Sequence, residues 1–157
     1  MRHATLRLGA LLLALGLLAT TPATAQSAAA TTGALPLVIN EVDADTPGAD
    51  TAEFVEIYNP NSVDITLDGH VVVFFNGNGD VSYAAFDLTG TLAAGGYYVL
   101  GNPGVANVNQ TFDPGGSGLL QNGADAVALY MGAAADFPNG TAATTTNLVD
   151  AIAYDTD

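Results

Sequence analysis

Glu53-Phe54-Val55-Glu56-Ile57-Tyr58-Asn59-Pro60 sets β-branched and aromatic residues between acidic ones, with Val55 and Ile57 two apart. Successive side chains of a strand point to opposite faces, so this alternation predicts a strand with one buried face. Ile39-Asn40-Glu41-Val42 shows the same grammar upstream. Turn formers close both segments, Asp43 to Gly48 after the first and Asn59-Pro60-Asn61 after the second. Glu53 and Glu56 are three apart, so they face opposite sides of their strand.

Outward from this pair, Gly or Pro punctuates the chain at short intervals and no helix start is evident, which favours an all-β sandwich. Strands are expected near 37–42, 53–58, 64–67, 70–75, 82–88, 97–100, 126–130 and 148–154. Asn76-Gly77-Asn78-Gly79-Asp80 reads as a hairpin loop between two of them. The Gly/Pro/Asn-rich stretch from Asn102 to Gly118 lacks alternation and is expected to be the main irregular loop, with a second from Gly132 to Asn147. The inner face is expected to hold Val38 or Ile39, Val55, Ile57, Leu67, Val72, Phe74, Phe86, Val99, Val127, Leu129 and Ile152.

The combination I-N-E-V…E-F-V-E-I-Y-N-P resembles the opening of bacterial lamin-tail domains. Leu119 to Tyr130, with Asn122-Gly123-Ala124-Asp125 before an alternating strand, is similar to that family's N-x-G-D segment. Leu148 to Tyr154 is similar to its closing strand, and Leu67-Asp68-Gly69-His70 departs from it by placing His where an aromatic is usual. The resemblance covers most of 37–154 and implies an immunoglobulin-like antiparallel β-sandwich used as a non-catalytic module. Similar bacterial domains stand beside secreted nucleases and phosphoesterases. An accessory domain of a longer enzyme is therefore the alternative reading, and a structural adhesion unit of the cell surface is the third.

Residues 1–25 read as a cleavable signal peptide: Arg2 and Arg7, an apolar run from Leu8 to Leu18, then Ala23-Thr24-Ala25. That run falls short of the roughly 20 residues a spanning helix needs. Residues 26–34 form an Ala/Thr-rich linker, and 35–157 are assigned to the sandwich. The expected location is secreted or cell-surface. With no cysteine, the domain relies on its core or on bound ions rather than on disulfides.

Arg2 and Arg7 are the only basic residues, so cleavage leaves sixteen acidic residues and a formal charge of −16. Such a chain has no cation for phosphate backbones or anionic lipid. The expected partner is a protein or other extracellular ligand, with no nucleic acid bound by this domain and no membrane after cleavage. Self-repulsion should make stability depend on salt.

Catalytic patterns are weak. His70 is the sole histidine past His3, too few for a typical zinc site without cysteine, and a structural role suits its place at the start of an apolar strand. Gly115-Gly116-Ser117-Gly118-Leu119 lacks the second glycine of a nucleophile elbow. Calcium is the one cofactor the sequence suggests. Asp43, Asp45 and Asp50 crowd one loop with Glu53 just beyond, and calcium takes six to eight oxygens in a flexible shell. The plain alternative is a solvated acidic turn. Asn76, Asn78 and Asp80 form a weaker second candidate. Tyr97-Tyr98 and Phe74-Phe75 should each place one ring in the core and one on the other face.

Overall fold

The computed structural model describes residues 33–112 and 118–156. The expected signal peptide, most of the linker and the Gly115–Ser117 part of the elbow lie outside them. Ten strands are formed by the described residues: β1 Val38–Asp43, β2 Phe54–Tyr58, β3 Ile65–Thr66, β4 His70–Asn76, β5 Val81–Asp87, β6 Thr91–Leu92, β7 Tyr97–Gly101, β8 Val108–Thr111, β9 Asp125–Met131 and β10 Leu148–Tyr154. They build one sheet in the order β1-β2-β7-β8, a second in the order β10-β9-β4-β5, and a two-stranded β3-β6 ribbon. The only helical element among them is a 3-10 turn, Ala134–Asp136. The fold is an all-β, immunoglobulin-like sandwich.

Val55, Ile57 and Ile39 from one sheet meet Val72, Phe74, Val127 and Leu129 from the other, with Leu37, Leu88, Leu100 and Leu120 closing the core. Phe74 sits at the centre of a ring cluster, with centroids 5.8 Å from Tyr83, 5.4 Å from Phe86 and 5.7 Å from Phe112. Strand β4 is buried on both faces, which explains its unbroken apolar run. Its outward residues Val71, Val73 and Phe75 form a second core with Ala128 and Tyr130, capped by Phe137 from the loop after β9.

Two expectations change. Val108–Thr111 lies inside the stretch read as irregular, yet it pairs with β7, and the pairing is parallel within an otherwise antiparallel sandwich. It is a short edge strand carrying Asn109 and Gln110, so it lacks the apolar alternation that marks a half-buried strand. Val99 is buried but faces outward: it pairs with Glu56, whereas Tyr98 and Leu100 join the main core. Of Val38 and Ile39, the core takes Ile39, and Val38 stays exposed. Phe86 and Ile152 pack against the core while only partly buried. Phe74 and Tyr98 are the core rings of their pairs, Tyr97 is exposed, and Phe75 fills the second core.

Asn59 organises the β3-β6 end. It is fully buried, and its Nδ2 donates to the carbonyls of Val63 (3.0 Å), Leu92 (3.1 Å) and Ala93 (3.0 Å). Its Oδ1 accepts from the Asn61 backbone N–H (3.0 Å) and side chain (2.9 Å).

Candidate functional site

Gly118 to Asp125 crosses one end of the sandwich, and most of its grip is polar. Glu53 stands just before β2, where its backbone N–H donates to Asn102 Oδ1 (2.8 Å) and its carbonyl accepts from the Asn102 N–H (2.9 Å). The Glu53 side chain is fully buried, and its Oε2 accepts from the Leu119 N–H at 2.9 Å. Its Oε1 has no hydrogen-bond partner of ordinary geometry among the described residues. Burial raises the Glu53 pKa above its ordinary 4.5 and the charge of Asp50 adds to this, while the amides of Leu119, Leu120 and Gly118 oppose it.

The same loop is held from several strands. Tyr83 Oη accepts from the Gln121 N–H (3.2 Å), Tyr154 Oη donates to the Gln121 carbonyl (3.0 Å), and Asn76 Nδ2 donates to Gln121 Oε1 (2.7 Å). Burial is the main reason that both tyrosine hydroxyls are pushed up in pKa. Asp125 Oδ1 accepts from the Gly77 N–H at 2.9 Å, which ties the β4–β5 hairpin to the loop. A Cβ on Gly77 would lie 1.9 Å from the Ala124 carbonyl oxygen. Gly77→Ala should therefore force this contact apart and destabilise the domain by about 2–3 kcal/mol, read from urea unfolding. An unchanged midpoint would mean that the hairpin shifts freely.

The acidic loop is distributed rather than convergent. Asp50 Oδ1 accepts from the Thr46 N–H (3.1 Å) and its Oδ2 from Asn122 Nδ2 (3.2 Å), so this carboxylate pins the loop to the Gly118–Asp125 crossing. Asp45 is exposed, Asp43 ends β1 on the outer face, and Glu53 is buried beneath Leu119. Among the described residues no three Asp, Glu or His side chains gather as a metal shell. In the weaker second candidate, Asn76 is already engaged, with Gln121 through Nδ2 and with the Asn78 N–H through Oδ1 (2.7 Å).

His70 is buried, its Nδ1 is 3.3 Å from the Leu67 carbonyl, and desolvation lowers its pKa. It is placed as a buried structural side chain at the start of β4.

Among the described residues a groove opens on the outer face of each four-stranded sheet, and reading the strands for buried faces alone missed both. One, of about 810 Å³, runs over β9 and β10 on a floor of Ala126, Ala128, Ala151 and Ala153 beside Phe75 and Tyr130. The other, of about 540 Å³, lies over β1, β2 and β7, with Glu41, Asp43 and Glu56 beside Phe54 and Tyr97. The signal for the second was present in the sequence, since alternation that buries Val55 and Ile57 must turn Phe54, Glu56 and Tyr58 out together.

No characterised protein matches the chain in sequence. The family pattern described as the Lamin Tail Domain matches residues 30–156, a span that takes in all ten strands. That match covers most of the sequence, and the chain belongs to the lamin tail domain family.

Proposed function

We propose that this is a secreted or surface-exposed module that binds or positions a protein or other extracellular ligand and catalyses nothing. The observation that carries the reading is the pair of open grooves on a sandwich whose one described histidine is buried against a backbone carbonyl. A general base must reach the proton it takes, and His70 faces Leu67 instead. The export signal read in residues 1–25 supports the location. The test is a panel of phosphoester, peptide and glycoside substrates offered to the purified domain. Turnover that disappears on a single substitution within 35–157 would overturn the reading, and its absence from wild type would support it.

Calcium in the 43–53 loop belongs to the same proposal and has its own test. Melting temperature should rise by several degrees between about 0.02 M and about 0.5 M sodium chloride, because screening shortens the repulsion among the carboxylates. Calcium added at the higher salt should raise it further only if a folded-state site exists, by roughly 2.7 kcal/mol at a hundredfold excess over Kd. Magnesium is the control, since it holds its water and wants a tighter octahedral shell. A calcium-selective rise lost in Asp45→Ala or Asp50→Ala would support the site, and equal shifts with both ions would reduce it to screening.

A further inference from the structure

We propose that the outer face of the β1-β2-β7 sheet docks a basic peptide segment of a partner, holding a Lys or Arg side chain between its acidic row and its aromatic rows.

The strand register sorts this face into rows. Val38, Tyr58 and Tyr97 pair across three strands to make one. Glu41, Glu56 and Val99 make the next, and Asp43, Phe54 and Gly101 the third. Adjacent rows stand about 6.8 Å apart, two residues along a strand, which a lysine or arginine stem spans. Tyr97 is 54% exposed, and its ring lies 4.9 Å from that of Tyr58, so a wide aromatic surface faces solvent beside the acids. Phe54 stands directly across from Gly101, where an added Cβ would come within 2.7 Å of the Phe54 Cβ, so β7 sets no side chain beside it in this row.

Glu41 and Glu56 are direct cross-strand partners, an arrangement of like charges that destabilises a sheet. Asn40 Nδ2 donates to Glu56 Oε1 at 2.7 Å and eases one of them. No Lys or Arg occurs beyond Arg7, so the matching charge must come from outside residues 26–157. The described residues gather no metal shell here, and rings do not replace the oxygens a hydrated metal ion demands. An ammonium or guanidinium group, by contrast, gains from carboxylates and ring faces together. Gly104 to Asn107 wall the groove on the β7 side, and its roughly 540 Å³ accommodates one or two long side chains of an extended chain.

The inference rests on the binding-module reading and names its partner's chemistry. The probe is a fluorescent ten-residue peptide alternating Lys and Val, with a Gln-for-Lys version as reference, titrated at about 0.15 M salt. Wild type should bind the Lys peptide at least tenfold more tightly than the Gln peptide. Glu41→Gln with Glu56→Gln, and separately Tyr97→Ser, should each weaken the Lys peptide tenfold. Asp64→Asn with Asp68→Asn removes as much charge from another surface, keeping the oxygens that accept from the Ala94 and Gly90 amides, and should change affinity less than twofold. Equal losses in the two charge-matched doubles, or no loss in Tyr97→Ser, would overturn the site in favour of diffuse attraction. Failure of the Lys peptide to bind folded wild type would also overturn it, and the module reading would still stand or fall on its substrate panel.

Discussion

Asn59→Asp is expected to unfold much of the domain at neutral pH, although it replaces a single NH2 group by oxygen. The amide faces three carbonyl oxygens, of Val63, Leu92 and Ala93, in a fully buried pocket. Aspartate would turn a second acceptor and a negative charge toward all three. An uncompensated buried charge costs about 3–5 kcal/mol, a large share of the 5–15 kcal/mol that holds a domain together. Protonation offers a partial escape, since a neutral carboxyl can donate to one carbonyl. The pKa of the new group would accordingly be raised in the folded state, and stability should return as pH falls and fade again as it rises. Urea unfolding at about pH 7.5 and about pH 4.5 reads both effects. A variant within about 1 kcal/mol of wild type at the higher pH would show that Asn59 is not the hub of this end.

Asn59 also shows which parts of the fold the sequence discloses. Its place after an alternating strand and before Pro60 marks a turn, because Asn bonds its own backbone and Pro fixes φ. That the same side chain reaches Leu92 and Ala93, more than thirty positions on, depends on tertiary closure that no local signal encodes. The strand buried on one face was legible by period two, with Val55 and Ile57 turned in together. Val99 misled because its burial comes from outside the sandwich, where it lines the outer groove with Val105 and Asn109. Strand β8 was hidden for a related reason, since an edge strand needs no apolar face and its pairing is set by β7 rather than by its own composition. The candidate loop was legible as an acidic turn, but the partners of its acids were not. Asp50 is tied to Asn122, seventy-two positions away, and Glu53 to Leu119, sixty-six away. Proximity in sequence suggested one shell, whereas alternation into β2 turned Glu53 inward, away from Asp43 on the outer face.

Glu53 should separate charge from contact. Glu53→Ala removes the acceptor of the Leu119 N–H and leaves a cavity under the clasped loop, and is expected to lose about 3 kcal/mol at about pH 5 and less toward about pH 7.5, where the buried charge weakens wild type. Glu53→Gln keeps an oxygen for that amide and nearly the same volume but removes the charge, so it should match or exceed wild type at about pH 7.5. The folded pKa lies above the ordinary 4.5, raised first by burial and then by Asp50. The folded domain thus keeps a proton that the unfolded chain has already released. Wild-type stability is fully present below the unfolded value of 4.5, falls as pH rises through the raised folded pKa, and is level above it. Mutual repulsion among the other carboxylates tilts both proteins in the same direction, so the informative quantity is the difference between wild type and Glu53→Gln at each pH. That difference should narrow on acidification from about pH 7.5 toward about pH 5. Parallel curves for the two proteins would mean that Glu53 titrates alike folded and unfolded. The amides of Gly118, Leu119 and Leu120 would then fully offset its burial, and the unpartnered Oε1 would carry no strain.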